Sequence, residues 1–388
     1  MKIGIAGAGL LGRLLALHLS RAGHQLVVFD PAPSALPQFA ADAPALPQAA
    51  AFTAAGMLSP IAELDNAEPE VAALGWRSIT LWQELVASLP TPRPLLRLDG
   101  SLLLAHRGDE GTAQRVLQRI AAAQNQHAWQ RAVPEYTGVQ KLSAAQLAAL
   151  EPALAGAAQS WLLGGEGMID TVATMLAMHA AASGVEWHWG SSRVTDISTS
   201  GQISLQDGCT HSFDIAIDVR GVGAQSSAPA MRGEDAQNGT PPIRGEEAQN
   251  STPPIRGVRG ETIWLHAPAH GLQRPVRLLH PRYRVYIVPR NAETIFIGAS
   301  EIESQDYSPV SLRSAVELMT AAHSVLPALA EARIIRLDSN CRPATPDNAP
   351  LVQWQGQRLA INGLFRHGWL LAPALVEQAL QNSPLSSP

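Results

Sequence analysis

Lysine is nearly missing from this chain of 388 residues: Lys2 and Lys141 are the only two among 28 basic residues, so 26 are arginines. With so much alanine beside them, the arginines read as the imprint of a GC-rich genome rather than as a function. Charge is also scarce, at 16% of residues, and the net charge is −5. That balance speaks against a general nucleic-acid binder, which would carry a basic stripe. No run of roughly 18 apolar residues exists, so no membrane span is expected. Arg13 and His18 interrupt the apolar stretch near the N-terminus and no small-residue cleavage site follows, so a signal peptide is not expected either. The two cysteines, Cys209 and Cys341, are too few for a disulfide framework or a four-thiolate metal site, and a reducing cytoplasm is the expected compartment. What the chain has is 46% apolar residues over a length that suits two domains, which excludes a disordered chain.

The first thirty residues carry the strongest pattern. Ile3 to Ala6 is a short buried-strand run, followed at once by Gly7-Ala8-Gly9-Leu10-Leu11-Gly12. Apolar residues then recur at helical spacing to about Arg21, Gly23 stops the helix, and Leu26 to Phe29 is a second strand ended by Asp30. Gly7 makes a tight turn, Gly9 lets a pyrophosphate approach the backbone, and Gly12 lets the helix pack against the strand. The helix N-terminus offers unpaired N–H groups and a positive dipole end to phosphates. Asp30, 18 residues beyond Gly12, can accept hydrogen bonds from a ribose. A dinucleotide follows from this arrangement, with NAD and FAD both open.

Further along, residues 31–50 read as a Pro- and Ala-rich loop. Helices are expected at Thr80–Leu89, Gly111–Gln126, Ser143–Leu150 behind a serine cap, Thr171–Ser183 with Gly184 at its C-cap, Ser311–His323 and Pro373–Gln381. Strands are expected at Ser101–Ala105, within Val185–Ile197, at Ile203–Leu205, Ile215–Val219, Ile263–His266, Tyr283–Val288, Thr294–Gly298 and Leu359–Asn362. The strands are too many and too irregular after residue 90 for a simple doubly wound fold. An α/β Rossmann-like nucleotide domain with an inserted antiparallel-sheet (α+β) substrate domain fits better. Residues 232–243 and 244–255 are twin units of 12 that match at 10 positions. They are polar, hold two prolines each, and read as a duplicated surface loop rather than a solenoid.

Four blocks, in order and over nearly the whole chain, resemble the D-amino-acid-oxidase superfamily of flavoproteins, and most of all its glycine oxidases of thiamine biosynthesis. They are the glycine turn with Asp30; Ala51-Phe52-Thr53-Ala54-Ala55-Gly56-Met57-Leu58-Ser59-Pro60; Tyr286-Ile287-Val288-Pro289-Arg290 leading to Ile297-Gly298-Ala299-Ser300; and Cys341-Arg342-Pro343-Ala344-Thr345 with Asn362-Gly363-Leu364-Phe365-Arg366-His367-Gly368-Trp369-Leu370. The resemblance implies non-covalent FAD held by Gly7, Gly9, Leu10, Leu11, Gly12, Asp30, Thr53, Ala54, Ala55, Gly56, Met57, Val194, Gly221, Gly363, Phe365, Arg366, His367, Gly368, Trp369 and Leu370. It implies a substrate pocket formed by Arg342, Tyr286, Met57 and Arg366, the last left between substrate and flavin. A guanidinium such as that of Arg342 grips a carboxylate through two parallel hydrogen bonds. His367 is not required as a base.

The same resemblance divides the chain into a FAD-binding domain (1–90, 168–224 and 336–388), a substrate domain (91–167 and 258–335) and a repeat-containing loop (225–257). It implies oxidative deamination of glycine or another small amino acid, with oxygen as acceptor and peroxide as product, feeding thiazole synthesis. No metal, nucleic acid or membrane enters, and a homo-oligomer is compatible. The other readings are a quinone-linked dehydrogenase of D-amino or N-methyl amino acids, and an accessory flavoprotein docking a protein or tRNA. One departure stands out: Arg220-Gly221-Val222-Gly223-Ala224-Gln225 where relatives carry a run ending in Trp, so Gln225 replaces the aromatic residue and Arg220 follows a buried strand.

Overall fold

The structure, a computed structural model, describes residues 1–39, 48–65, 67–124, 138–190, 193–224, 253–279, 284–381 and 383–385. Gln225, most of the twin units and Tyr283 lie outside the described residues. Two large sheets organise the rest. The first has six strands in the order Leu351–Gln355, Arg358–Asn362, Ile215–Asp218, Lys2–Ala6, Gln25–Phe29, Glu186–His188. All its pairs are parallel except the outer Leu351–Gln355 hairpin partner. Ile3 pairs with Ile215 on one side and Leu26 on the other, so Ala6, Phe29 and Asp218 end together and open a crevice at the carboxyl ends of the strands. The helices Leu10–Arg21 and Thr171–Ala181 and the packed pair Pro69–Ala87 and Gly368–Leu380 cover it with one apolar core.

The second sheet has eight strands: Arg333–Ala344, Arg256–His266, Thr294–Gly298, Arg284–Asn291, Val276–Leu279, Ser101–Ala105, Gln159–Leu163 and Val139–Leu142. Its neighbours are antiparallel except Val276–Leu279 beside Ser101–Ala105. Period-two alternation splits this sheet into two unlike faces. Ile263, Leu265, Ile297, Ile295, Ile287, Val285, Val276 and Leu278 point one way and are buried with Leu318, Ala322 and Val325 of the Leu312–Val325 helix. That helix starts where Ser311 accepts from Ser314 N. Directly opposed residues across the other face run Asp338, Thr262, Gly298, Tyr286, Arg277. From that face Asn340 and Arg290 reach Thr53 and Ala54.

Element types agree with the sequence, but several boundaries move. The helix expected at Thr80 begins at Pro69, because Ala72, Trp76 and Ile79 already form its buried stripe. Gly75 is a packing contact rather than a break: a Cβ there would meet Leu370 Cδ1 at 2.9 Å. The last helix begins at Gly368, not Pro373. Proline at 373 removes the N–H that would reach the Trp369 carbonyl, and Trp82 Nε1 takes that carbonyl at 2.7 Å instead. The Thr171 helix ends at Ala181, before Gly184. The strand expected at 263–266 runs from Arg256, and Val185–Ile197 divides into Glu186–His188 and Val194–Ile197.

Candidate active site

At the first sheet's crevice, Gly7 sits at φ +105, which suits glycine. A Cβ on Gly12 would run into the Gly7 carbonyl oxygen, so turn and helix close on each other only because it is absent. A Cβ on Gly9 would meet nothing nearer than Ala49 at 3.6 Å, which leaves that backbone open to a ligand. The Leu10–Arg21 helix starts without a capping side chain, so its first N–H groups face forward with the positive dipole end. Asp30 ties the turn to the following loop, accepting from Ala8 N at 2.6 Å and Ala32 N at 2.8 Å.

Sequence reasoning gave Arg13 no site role, yet it is buried here. It donates to the carbonyls of Ala8 (2.8 Å), Met175 (3.0 Å) and Ala35 (2.7 Å) and lies over Phe52 and Trp189. Burial lowers its pKa to about 10, with Asp30 acting in the opposite direction. Arg13, Asp30, Ala8, Phe52 and Trp189 line one cavity beside the turn.

The stretch 53–57 is held from three sides. Arg290 donates to the Ala54 carbonyl at 2.9 Å, Asn340 Nδ2 to Thr53 Oγ1 at 3.1 Å, and Trp369 Nε1 to the Ala51 carbonyl at 3.2 Å. Gly56 has φ +67, and a Cβ there would collide with the Ile169 carbonyl. Met57, Ala55 and Tyr286 share one apolar cluster with Met168, Val288 and Phe296. Leu364 bridges Ala344, so the turn through Gly363 and Phe365 sits against the end of the strand that carries Arg342. The helix that follows, with Gly368, Trp369 and Leu370 in its first turn, again starts without a capping side chain. Asn362 Nδ2 reaches the Gly221 carbonyl at 3.0 Å, which brings Gly221 to the same place. Val194 stands apart on a small three-stranded sheet, its carbonyl taken by Arg220 Nη1 at 3.1 Å. Arg220 itself is forked onto Asp218, so the unusual arginine is neutralised by the strand it follows.

Arg342 and Tyr286 lie along the polar face of the second sheet, each over a glycine. A Cβ on Gly260 would fall within 2.6 Å of Arg342 Nη1, and one on Gly298 would lie 3.1 Å from Tyr286 Cζ and 3.2 Å from Thr262 Cγ2. Arg342 Nη1 donates to the carbonyls of Ser300 (3.1 Å) and Arg259 (3.4 Å). Among the described residues no carboxylate pairs with Arg342, whereas Arg259 has Glu261, Arg336 has Asp338, and Arg277 and Arg366 both have Glu63. The Thr262 hydroxyl, between the two glycines, is buried with no partner among the described residues.

Glu63 is the residue the sequence did not reveal. It joins Arg366 at 2.7 Å and Arg277 at 3.4 Å, partners 303 and 214 positions away, and Arg366 also lies 3.8 Å from Glu301. His367 Nδ1 lies 3.3 Å from the same carboxylate, outside hydrogen-bonding geometry. Burial lowers His367 to about 4, against the pull of Glu63, so the ring is neutral at pH 7. Glu166 is fully buried, accepting from Ala62 N, next to Glu63 in the chain, at 2.9 Å and from Ser101 Oγ.

Comparison with known proteins agrees with this architecture. Residues 2–379 match the family model DAO, described as FAD dependent oxidoreductase. A Rhizobium etli protein named "Putative thiamine biosynthesis oxidoreductase ThiO" is 32% identical over 97% of this chain and 94% of its own. A glycine oxidase of Geobacillus kaustophilus is 23% identical over 96% of this chain and 89% of its own. Among solved structures, iminodiacetate oxidase from Chelativorans sp. BNC1 superposes with a TM-score of 0.75 at 21% identity, covering 97% and 94% of the two chains. The G. kaustophilus glycine oxidase structure gives 0.74 at 21%, covering 97% and 93%. The open backbone at Gly9, the uncapped helix start and the crevice beside Asp30 fit an FAD.

Proposed function

The chain belongs to the DAO family of FAD-dependent oxidoreductases, and from that premise we propose that it oxidises glycine or another small amino acid. The products are the imino acid, which water converts to oxo acid and ammonia, and hydrogen peroxide from oxygen; in the cell the reaction feeds the thiazole of thiamine. One observation carries the reading: Arg342 shares a sheet face with Tyr286, which clusters with Met57, and among the described residues it has no carboxylate of its own. A buried or half-buried cation left without a counter-ion suits an anionic substrate.

On this reading the turn at Gly7, Gly9, Leu10, Leu11 and Gly12 holds the FAD diphosphate and Asp30 a ribose. Residues 53–57 and the turn 363–370 bracket the ring system, with Gly221 beside them and Val194 toward the far end. Binding is non-covalent. Residues 1–90, 168–224 and 336–388 then form the cofactor domain, and 91–167 with 258–335 the substrate domain. The chemistry supplied by bound FAD is removal of two electrons and hydrogen from the substrate's C–N bond and their delivery to oxygen. Arg342 pairs with the substrate carboxylate through two hydrogen bonds, and the Tyr286 hydroxyl donates to the same group. Met57 packs against the substrate carbon, and Arg366, held by Glu63, keeps the turn 363–367 against the sheet. No side chain is needed as a base beyond the amine itself losing its proton; orientation is what the protein contributes. The test is oxygen-dependent release of peroxide and ammonia from glycine by the purified protein in a screen of small amino acids. FAD-loaded protein that turns over none of them with oxygen, but does so with a quinone, replaces the oxidase by the dehydrogenase reading.

A further inference from the structure

Gly260 sits mid-strand in Arg256–His266, directly opposite Asn340 and one pleat from Val258, the residue opposite Arg342. The three atoms nearest to a Cβ built on it all belong to the Arg342 guanidinium, Nη1 at 2.6 Å and Cζ at 2.5 Å among them. The guanidinium therefore lies flat on bare backbone, and from there its Nη1 reaches the Ser300 and Arg259 carbonyls. The backbone of Gly260 needs no left-handed conformation, so strain does not explain the missing side chain, and the nearest obstacle to one is Arg342.

We infer that Gly260 is a positioning residue for Arg342, its absent side chain setting the depth at which the substrate carboxylate is held. A methyl there lifts the guanidinium off the sheet and breaks its two carbonyl bonds, so the fork loses its alignment while its charge stays. The inference rests on Arg342 being the carboxylate anchor, and the experiment separates the two. Gly260→Ala, Arg342→Lys and the double variant are compared by KM and kcat for glycine, and by the binding of acetate followed through the flavin spectrum. Misplacement of a binding group by about 1 Å corresponds to a loss of up to about 100-fold. Gly260→Ala is therefore expected to weaken acetate and raise KM by about 10- to 100-fold with FAD content and melting temperature unchanged. In the Arg342→Lys background, where no planar fork lies on residue 260, the same methyl is expected to change acetate binding less than about twofold. Equal losses in both backgrounds, no loss in either, or a Gly260→Ala protein that fails to fold or bind FAD would each overturn the inference. Arg342→Lys with wild-type acetate binding overturns the anchor, and the inference with it.

Discussion

Glutamine in place of Glu166 tests how burial governs a carboxyl group held at the Ala62 amide, next to Glu63 in the chain. Burial pushes the Glu166 carboxyl up from 4.5 to about 7, against the hydrogen bonds from Ser101 and Ala62 and the nearby charge of Arg277. That rise corresponds to about 3 kcal/mol of differential stabilisation between the two protonation states. The folded protein holds the proton more tightly than the unfolded chain. Its stabilising contribution is therefore complete below pH 4.5 and is lost as the pH rises through 7. Glutamine is neutral throughout and has the same shape, and the Ser101 hydroxyl can turn to accept from its amide. Between pH ~4.5 and pH ~8 the wild type is expected to lose about 3 kcal/mol of unfolding free energy that Glu166→Gln retains. Glu63, Arg277 and Arg366 are present in both proteins, so their titration cancels in the difference. The measurement is urea unfolding at a series of pH values with FAD fixed in excess, read by tryptophan fluorescence. Parallel pH profiles for the two proteins would refute the assignment.

Other substitutions probe the site directly. Arg342→Lys should lower kcat/KM for glycine by about 30- to 1,000-fold, the loss of a bidentate pair being roughly 2–4 kcal/mol, with FAD content unchanged; wild-type kinetics would remove Arg342 as the anchor. Gly12→Ala should abolish FAD binding, measured as flavin fluorescence quenching, because the added methyl meets the Gly7 carbonyl; normal affinity would show that turn and helix need not touch. The purified protein should be yellow and should release FAD on acid or heat, and flavin that stays with the precipitate would mean a covalent link. Removing one of the twin units, residues 232–243, should leave FAD content and turnover nearly intact, since shortening a polar loop changes closure entropy by well under about 1 kcal/mol; lost turnover with flavin retained would make the unit part of the site.

The sequence was most legible where structure is local. The strand–turn–helix–strand opening follows from spacing within thirty residues, and the serine cap at Ser143 is visible for the same reason. It was least legible where a residue answers to something distant. The Arg333–Ala344 strand shows no apolar alternation because Asp338, Asn340 and Arg342 occupy one of its faces, and the expected strands did not include it. Pro373 marks a helix start in most contexts, and here the carbonyl it leaves free is taken by the far-off Trp82. Glu63 gave no local signal, because its meaning lies in arginines hundreds of residues away. Arg342, Tyr286 and Met57 were found through the family resemblance; the glycines beneath the first two emerge only from the packing.

The alternation of the second sheet separates two inheritances. Ile263 and Leu265 belong to the helix-covered core, while Gly260, Thr262 and Trp264, interleaved with them on the same strand, face the other way. A substitution at Thr262 or Trp264 therefore alters the face that carries Arg342 and Tyr286 while the apolar half of the strand stays as it is. A one-residue insertion in those strands would do the opposite, exchanging both sets together and destroying fold and site at once. Such an architecture lets one face of the sheet vary, one alternate position at a time, while the helix-covered face keeps its packing.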